Sequence, residues 1–501
     1  MQTTLPSTLW QVLQAQSEQR GRAPALRFEG KETSYAQLAA QSRAMAAALQ
    51  ASGVQRGDRV AWIGLNHPLQ IALLFACAGL GAIAMPLNYR LAAPELERIL
   101  QDANPSFLIH DGAWGNVARG LRSSCRVPLH SLEGLLDDGL QLPVADISLG
   151  EADDAVLLVY TSGTTGLPRG ATHTQRNLCT NMAIAGKNAA LSAIDLIATM
   201  LPLFHVGGLC IQTLPAIAAG ACVILHERFD AGAALQCFAQ EQPTLTLQVP
   251  ATMRALIEHP DWASADLSSL RAVWAGSSVL PASLIEAFHA RGIPVCNVYG
   301  STETGPFSIS LNDKHARSHV GSCGWPASDE VHVKLLHSLQ GVGEKIGELC
   351  IRAPNVAERY WPDLPLKDGE GWFRTGDLAR QDADGSYWVV GRAKDMLISG
   401  GENIYPAEIE NLLAAQPGVI ECAVIGLPDA TWGEVVAACV VLAIGIDTHQ
   451  AQLDLSAVLS GQLARYKLPR QWHFLSAFPK TALGKVQKAQ LLDLLSAQRE
   501  S

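Results

Sequence analysis

Short apolar runs alternate with amphipathic helical patterns through the first three hundred residues of this 501-residue chain. The runs that are most typical of buried strands are RVAWIGL (59–65), AVLLVY (155–160), ACVILH (221–226), TLTLQV (244–249) and LRAVWAG (270–276). Strands that alternate with helices predict parallel sheets covered by helices. Such folds bind ligands beyond the carboxyl ends of their strands, so we expect functional residues just after positions 160, 276 and 299.

Two changes in sequence texture divide the rest of the chain. From about residue 320, short strands such as VHVKLL and GELCIRA come with many glycines and few helices, which predicts a small β subdomain at about 320–390. After residues 391 and 392 a hairpin, a helix that starts at PAEIENLL and further strands follow, which predicts a separate α+β domain. We therefore place a boundary at 391–395, between parts at 1–390 and 396–501.

Composition excludes several classes of protein. The formal net charge of -10, with no run of lysine or arginine, argues against a nucleic-acid partner. Eleven cysteines occur singly without a CxxC pair, which favours a reducing cytoplasm over a disulfide framework or a zinc site. The apolar segment 69–87 is interpreted as a helix, a turn and a short strand rather than a membrane span, because Gly79, Gly81 and Pro86 divide it.

The stretch YTSGTTGLPRG at 160–170 places hydroxyl side chains and glycines directly after a predicted strand. Glycine lets successive backbone N–H groups converge on an anion, and Ser162, Thr164, Thr165 and Arg169 add further donors. The stretch is not a Walker A loop, because it lacks the final Lys-Ser/Thr pair. Alone, it predicts either a phosphate-binding loop or a hydroxyl-rich surface turn.

Five further stretches carry residues that are typical of chemistry rather than of packing. They are LPLFHVGGL (201–209), NVYGSTETG (297–305), WFRTGDLA (372–379), GRAKDMLISGGENIYPAEIE (391–410) and PKTALGKVQK (479–488). In this order the six stretches resemble the adenylate-forming superfamily: acyl-CoA synthetases, nonribosomal-peptide adenylation domains and firefly-type luciferases. The resemblance covers about residues 30 to 488. It implies an α/β fold with a large N-terminal AMP-binding domain of parallel α/β sheets (1–390), a hinge (391–395) and a small, mobile C-terminal domain (396–501).

The resemblance implies that the first stretch cradles the β- and γ-phosphates of ATP. The residues expected there are Thr161, Ser162, Gly163, Thr164, Thr165, Gly166 and Arg169. The residues expected around the rest of the nucleotide are Gly276, Ser277, Ser278, Asn297, Tyr299, Gly300, Thr302, Asp377, Arg392 and Lys485. The family usually has lysine at the position of Arg169 and arginine at that of Lys488, and both exchanges keep the charge.

Individual roles follow from side-chain chemistry within this resemblance. Tyr299 offers a flat face to adenine, and the Asp377 carboxylate accepts from both ribose hydroxyls. Thr302 donates to the α-phosphate, while Glu303 supplies a hard oxygen ligand for Mg²⁺. Lys485 offsets the charge that builds up as a carboxylate attacks the α-phosphate.

The second half of the reaction is expected to use the other face of the C-terminal domain. In the family this domain swings about the position of Lys394, so that Gly400 and Gly401 line a channel for the CoA arm. Trp432 is a further candidate for that channel, and Lys467 or Arg470 for a CoA phosphate.

The acyl pocket is expected around Phe204, His205, Gly207, Gly208 and Phe307, with His205 joining Lys485 and Thr302 as a catalytic residue. The aspartate that holds the ammonium group in amino-acid-activating relatives is missing, because Phe204-His205 occupies its place. The lining segments 206–209, 276–280 and 305–309 contain no Arg or Lys, so a neutral acid tail is predicted. A fatty acid and a benzoate- or hydroxycinnamate-type acid both fit.

We therefore expect an ATP-dependent acyl-CoA ligase that forms an acyl-AMP and transfers the acyl group to CoA, with Mg²⁺ as cofactor. Its expected partners are small molecules, with neither nucleic acid nor stable membrane insertion, and a homodimer stays open. Two alternatives remain: a ligase that loads a carrier protein, and a non-catalytic nucleotide or acyl sensor. The presence of Glu303, Asp377 and Lys485 argues against the sensor.

Overall fold

The computed structural model describes residues 6–143, 147, 149–162, 168–276, 280–340, 345–399, 402–429, 433–463, 465–481 and 484–497. Its helices are α1 (Leu9–Arg20), α2 (Tyr35–Ala51), α3 (Pro68–Leu80), α4 (Ala93–Ala103), α5 (Gly115–Cys125), α6 (Leu132–Leu140), α7 (Gln175–Asn188), α8 (Leu214–Ala218), α9 (Ala231–Gln240), α10 (Pro250–Ile257), α11 (Ala282–Ala290), α12 (Pro406–Ala414), α13 (Thr448–Gln462) and α14 (Lys488–Ala497). Short 3₁₀ turns and one π-helical turn, Gly207–Thr213, complete the helical segments used below.

The strands form four sheets. In chain order they are β1 (Pro24–Phe28), β2 (Lys31–Ser34), β3 (Arg59–Ile63), β4 (Ile83–Pro86), β5 (Phe107–His110), β6 (Leu129–Ser131), β7 (Ala155–Ser162), β8 (Pro168–Thr174), β9 (Leu196–Thr199), β10 (Cys222–Leu225), β11 (Leu245–Gln248), β12 (Ala272–Gly276), β13 (Val295–Tyr299), β14 (Ile309–Ser310), β15 (Trp325–Pro326), β16 (His332–Gln340), β17 (Lys345–Arg352), β18 (Arg359–Tyr360), β19 (Leu364–Pro365), β20 (Phe373–Gln381), β21 (Tyr387–Arg392), β22 (Leu397–Ser399), β23 (Glu402–Ile404), β24 (Val419–Asp429), β25 (Gly433–Leu442) and β26 (Gln471–Phe474).

Two large sheets carry the predicted strand–helix alternation. The nine-stranded sheet has the order β15-β14-β13-β12-β11-β9-β10-β1-β2, and the eight-stranded sheet has the order β19-β18-β8-β7-β4-β3-β5-β6. Their central strands pair in parallel, as the alternation predicts, because helices cross between them. The prediction of parallel α/β sheets is confirmed, and antiparallel strands are added at the edges, where β2, β8, β14, β15, β18 and β19 run antiparallel to their neighbours.

The most apolar segment of the sequence is the interior helix α3. Every residue of Pro68–Leu80 is buried, since the helix packs among its neighbours α1 and α2 and strands β4 and β7. Gly81 ends it with φ of 70°, a left-handed conformation that glycine adopts without strain, and β4 follows. The interpretation of 69–87 as helix, turn and strand is therefore confirmed. None of the helices in the described ranges combines the length and the apolar character that a membrane crossing requires.

A four-stranded antiparallel sheet, β16-β17-β20-β21, forms the small β region and ends at Arg392. After a 3₁₀ turn at Ala393–Asp395, the last sheet is built from β22 to β26, with α12 and α13 contributing to its core. The change of sheet falls within the predicted boundary at 391–395. The domain limits themselves stay a prediction.

All eleven cysteines are unpaired, and nine of them are buried. Burial raises the pKa of each thiol; for Cys210, beside the predicted acyl pocket, the value is about 12.

Candidate functional site

The predicted phosphate loop connects two antiparallel strands. Strand β7 continues to Ser162, and β8 returns from Pro168 with Thr161 opposite Arg169. The Thr161 hydroxyl donates to the Arg169 carbonyl at 3.3 Å, which closes the base of the loop. The loop residues Gly163, Thr164, Thr165 and Gly166 lie outside the described residues, as does the side chain of Ser162. The structure therefore defines the two stems of the loop, which begin and end in the eight-stranded sheet.

The two stems and the NVYGSTETG turn meet at a buried histidine. His173, on β8, is fully buried, and its Nε2 lies 2.8 Å from the carbonyl oxygen of Thr302. Desolvation lowers the pKa of His173 to about 4, so the ring is neutral and Nε2–H donates to this acceptor. The turn is also tightly packed at Gly300, where a Cβ atom would lie 1.6 Å from the carbonyl oxygen of Pro306.

The carboxylate of Glu303 is held by a residue that sequence analysis did not select. Tyr360 Oη donates to Glu303 Oε1 at 3.0 Å, and the Arg169 guanidinium lies over the Tyr360 ring, with Cζ 5.6 Å from the ring centroid. Burial and the neighbouring Glu303 raise the pKa of Tyr360 above its ordinary value, so the phenol keeps its proton. Glu303 Oε2 has no hydrogen-bond partner among the described residues.

This arrangement fits Mg²⁺. Across the described ranges, no three His, Cys, Asp or Glu side chains form a metal-binding cluster. A single free carboxylate oxygen is nevertheless the donor that Mg²⁺ uses when nucleotide phosphates and waters complete its octahedral shell. Glu303 would hold the ion.

A second group of side chains joins the nine-stranded sheet to the small sheet. Tyr299 Oη donates to Asp377 Oδ2 at 2.6 Å, and Arg392 Nε lies 2.7 Å from Asp377 Oδ1. Burial raises the pKa of Asp377, against the Arg392 charge and the Tyr299 hydrogen bond, which lower it. The predicted adenine and ribose residues thus converge, although they come from distant parts of the sequence.

Lys485 lies near the same residues. Its side chain is exposed. Desolvation and the Arg392 charge lower the pKa of Lys485 below its ordinary value, whereas Asp377 and Glu303 raise it, so these charges lie close enough to act on the ammonium. We call Glu303, Asp377, Arg392 and Lys485 the ionic cluster. It consists of two carboxylates and two cations.

His205 is a neutral hydrogen-bond donor near Lys485 of the ionic cluster. The backbone N–H of Gly207 donates to His205 Nδ1 at 3.1 Å, so Nδ1 carries no proton. Desolvation, with the charges of Lys485 and Arg90, lowers the pKa of His205 to about 4. The neutral ring therefore carries its hydrogen on Nε2, where it can donate to an oxygen atom of a substrate.

The two glycines after His205 differ in their surroundings. A Cβ atom on Gly208 would lie 2.6 Å from the Leu201 carbonyl oxygen and 2.7 Å from that of Pro202, so the space at Gly208 is taken by backbone rather than left open for an acyl group. A Cβ atom on Gly207 would approach His205 Nδ1 to 3.2 Å. The place of Gly207 in an acyl pocket stays a prediction.

Phe307 is part of a buried wall tied together by two asparagines. Asn181 Oδ1 accepts from the Phe307 backbone N–H at 3.0 Å, and Asn181 Nδ2 donates to the Cys210 carbonyl at 2.8 Å. Asn355 Nδ2 donates to the Phe307 carbonyl at 3.2 Å, and the Trp274 ring meets the Phe307 ring edge-on at 6.4 Å. We call Asn181, Trp274, Phe307 and Asn355 the acyl wall. All four are at most 4% exposed, and all are uncharged.

Phe204 packs away from this wall. Its ring meets that of Tyr89 edge-on at 5.2 Å, and Arg90 Cζ lies 6.0 Å from the Phe204 centroid. The three predicted lining segments indeed lack a cation, but Arg90 brings one near His205 from a distant part of the sequence.

The remaining predicted site residues either lie outside the described residues or contact groups other than the ionic cluster. Ser277, Ser278, Gly400, Gly401 and Trp432 are outside the described residues. Asn297 is buried, and its amide donates to the Ser322 carbonyl at 3.2 Å. Gly276 packs against the Val298 carbonyl. Lys394 is exposed in the 3₁₀ turn, and Lys467 pairs with Glu408 at 2.7 Å.

Sequence reasoning missed His173, Asn181, Asn355, Tyr360 and Arg90. Asn181 has a weak signal, since it shares a helix face with the apolar residues Leu178 and Ala185, whereas His173 has none, because its strand, PRGATHT, is largely polar. Tyr360 and Asn355 follow GELCIRA in a segment without regular periodicity, so only the fold brings them to the site.

Comparisons with known proteins match most of the chain to one enzyme family. The model of the AMP-binding enzyme family matches residues 13–361, and that of the AMP-binding enzyme C-terminal domain matches residues 408–485. The chain is 45% identical over 499 residues to indoleacetate–CoA ligase of Aromatoleum aromaticum, covering 94% of this chain and 95% of that protein. It is 42% identical over 481 residues to feruloyl-CoA synthase of an Amycolatopsis species, covering 94% and 95%. The o-succinylbenzoate coenzyme A synthetase of Bacillus subtilis, solved with ATP and a magnesium ion, superimposes with a TM-score of 0.85 at 28% identity, covering 97% of this chain and 99% of that one.

Proposed function

Because the chain belongs to the AMP-binding enzyme family, as an ATP-dependent acyl-CoA ligase that works through an acyl-AMP, we propose that its substrate is an aryl-substituted carboxylic acid with a neutral tail. ATP and CoA are the co-substrates and Mg²⁺ is the cofactor. The names of the two relatives, an indoleacetate and a ferulate ligase, support an aromatic acid over a fatty acid.

The observation that carries this proposal is the chemistry of the acyl wall. Its aromatic residues, Trp274 and Phe307, meet edge-on, an arrangement that accommodates a further ring by the same edge-to-face preference. The side-chain amide nitrogens of the asparagines beside them already donate to backbone carbonyls, and Asn355 Oδ1, which has no partner among the described residues, is an acceptor and offers nothing to an anion. A charged tail would lose its hydration there without gaining a partner, so a neutral ring is favoured.

The first half-reaction follows from the ionic cluster. The acid, ionised at neutral pH, attacks the α-phosphorus of ATP; the bond to the bridging oxygen breaks, and pyrophosphate leaves. Lys485 offsets the charge that accumulates between carboxylate and phosphate, with Thr302 as a donor to the α-phosphate. His205 orients the carboxylate by donating from Nε2. Asp377 and Arg392 hold the ribose, while Tyr299 stacks on adenine.

Mg²⁺, when bound, neutralises phosphate charge and polarises the bond that breaks. The role of this chain is to present Glu303 to the ion and to hold the triphosphate between the stems of the phosphate loop. Thr161, Ser162, Gly163, Thr164, Thr165, Gly166 and Arg169 are proposed for that task, with Gly276, Ser277, Ser278, Asn297 and Gly300 shaping the nucleotide site.

In the second half-reaction the CoA thiolate attacks the acyl carbonyl, and AMP leaves. We propose that the C-terminal domain (396–501) turns about Lys394 at the hinge (391–395), which withdraws Lys485 and brings Gly400 and Gly401 to the site. An exposed 3₁₀ turn between two independent sheets suits such a rotation. Trp432 is a proposed part of the CoA channel. Lys467 is a weaker candidate than the sequence predicts, because Glu408 already neutralises it.

The cytoplasmic location and the oligomeric state of the chain stay predictions. Unpaired cysteines fit a reducing cytoplasm. A homodimer is to be tested by sedimentation of the purified chain.

The test is a panel of acids supplied with ATP, Mg²⁺ and CoA, with AMP and acyl-CoA as separate readouts. Indoleacetate, ferulate and benzoate represent aryl acids, decanoate represents fatty acids, and succinate represents dicarboxylates. We expect an aryl acid to give the highest kcat/KM. The Lys485→Ala variant is the control for contaminating activity. Preference for decanoate or succinate contradicts the substrate class, and AMP release without acyl-CoA favours a carrier-protein acceptor.

A further inference from the structure

The phosphate loop and Glu303 are joined by a segment that the sequence does not mark, residues 357–360. The backbone N–H of Ala357 donates to the Glu303 carbonyl at 2.8 Å, and Tyr360 Oη donates to Glu303 Oε1 at 3.0 Å. One short segment therefore holds both the main chain and the carboxylate of Glu303. A carboxylate fixed in this way presents its free oxygen in one direction.

The same segment pairs with β8, the strand that follows the phosphate loop. Strand β18 pairs with β8, with Tyr360 opposite Ala171, and the Trp361 N–H donates to the Gly170 carbonyl at 2.7 Å. Side chains two residues apart share one face of a strand, so Arg169 is the diagonal neighbour of Tyr360. Its Cζ lies 5.6 Å from the ring centroid, within the range of a cation–π contact.

We propose that Tyr360 is a positioning residue that orients the metal-binding carboxylate of Glu303, and that Arg169 holds Tyr360 in place, so that the phosphate loop and the metal ligand move as one unit. The inference rests on the proposed function, in which Glu303 carries Mg²⁺ and Arg169 faces the triphosphate. Mg²⁺ demands near-ideal octahedral geometry, so a carboxylate with a fixed orientation binds it better than a rotating one.

The proposal explains why this chain has arginine at position 169, where the family usually has lysine. A guanidinium is planar and can lie flat on an aromatic ring, whereas an ammonium is a compact, strongly hydrated charge. Arginine thus keeps the positive charge near the phosphates and also fixes the Tyr360 ring.

The test measures binding, so it does not depend on turnover. The full-length chain is titrated with Mn²⁺ in the presence of α,β-methylene-ATP, which cannot release pyrophosphate, and free Mn²⁺ is followed by electron paramagnetic resonance. We expect Tyr360→Phe to weaken Mn²⁺ binding about tenfold, as the loss of an outer-shell partner does elsewhere. The affinity for the nucleotide without metal should stay within about twofold, because only the hydroxyl is removed.

Tyr160→Phe is the matched control. Tyr160 lies on the adjacent strand β7, and its hydroxyl also donates to a carboxylate, that of Asp102 at 2.5 Å, away from Glu303. Its Mn²⁺ affinity should equal that of the unmodified chain. Equal weakening in both variants, or an unchanged affinity in Tyr360→Phe, overturns the inference. So does a loss of nucleotide binding without metal in Tyr360→Phe, since that indicates damage to the loop.

Arg169→Lys tests the cation–π contact between Arg169 and the Tyr360 ring. Because Tyr360 itself is unchanged, this variant also tests the inference if Tyr360→Phe folds poorly. We expect about threefold weaker Mn²⁺ binding, as for a weakened cation–π contact. The double variant should be no weaker than Tyr360→Phe alone, because the ring then has no hydroxyl to place; additive losses overturn the coupling. If the unmodified chain binds neither nucleotide nor Mn²⁺, the proposed function fails instead.

Discussion

The acyl wall and the ionic cluster are built on opposite physical principles. The wall is buried and uncharged, and its side chains are tied to backbone groups by Asn181 and Asn355. The cluster is charged, and its two cations, Arg392 and Lys485, have exposed side chains. Under the proposed function, selection of the acid depends on rigid packing, whereas the chemistry depends on charges that the proposed rotation of the C-terminal domain brings in and removes. Substitutions should distinguish the two regions. Changes in the ionic cluster should alter the reaction rate with little effect on stability. Changes in the acyl wall should lower stability with less effect on the rate of the chemical step.

The largest effect is expected at Lys485. Replacing Lys485 with alanine should lower the rate of acyl-adenylate formation about 10²- to 10³-fold, because the charge of the transition state loses its cation. Thioester formation from supplied acyl-AMP should stay within a fewfold of normal, and the melting temperature should not change, since the side chain is exposed. The two half-reactions are measured as pyrophosphate exchange and as acyl-CoA release.

The control is Lys480→Ala, which removes a lysine of the same turn whose ammonium pairs with Glu421. It should leave both half-reactions nearly intact. Equal losses in the two half-reactions of Lys485→Ala would contradict a role in adenylation.

The counterpart in the wall is Asn181→Leu. Leucine has a similar size but leaves the buried N–H of Phe307 without its acceptor, so we expect the free energy of unfolding to fall by about 2–3 kcal/mol. Denaturation in urea measures it. Asn116→Leu, at an exposed position of α5, should change the value by about 0.5 kcal/mol or less. A stable Asn181→Leu variant would mean that the wall is not held by its hydrogen bonds.

The hinge gives a smaller, selective effect. Lys394→Pro restricts φ in the turn that is proposed to rotate, so the thioester step should slow about tenfold while pyrophosphate release persists. Lys394→Ala keeps the turn free and should behave normally in both half-reactions. Normal thioester turnover in the proline variant would remove Lys394 from the hinge.

The mildest effect is on the pH profile. Because the pKa of Lys485 is lowered from its ordinary 10.5, the lysine loses its proton at a lower pH than a free lysine does. Adenylation should therefore decline as pH rises through a value below 10.5. Lys485→Arg, which stays protonated, should abolish this alkaline decline even if its maximal rate is lower. A decline that persists in the arginine variant would assign it to another group.

Sequence reasoning reached the ionic cluster through the resemblance of its short motifs to the adenylate-forming superfamily, because position in the fold does not mark these residues: Asp377 lies within β20, and Lys485 lies outside the strands. It also found the central parallel strands, since short apolar runs such as 221–226 and 244–249 alternate with helical patterns. It missed the antiparallel partner of the phosphate loop, because the two-residue strand Arg359–Tyr360 has no periodicity to detect. It misjudged Gly208, because the close carbonyls of Leu201 and Pro202 are visible only in three dimensions.

The thiols of this chain illustrate a further consequence of its packing. A mixed anhydride of a carboxylic acid and AMP acylates any accessible thiolate, and thiolates attack far more readily than thiols. Cys210 lies on the π-helical turn next to the acyl wall, yet it is 1% exposed and its raised pKa keeps it protonated. The thiol beside the acyl wall is thereby kept buried and protonated, so it does not compete with the sulfur of CoA for the acyl group.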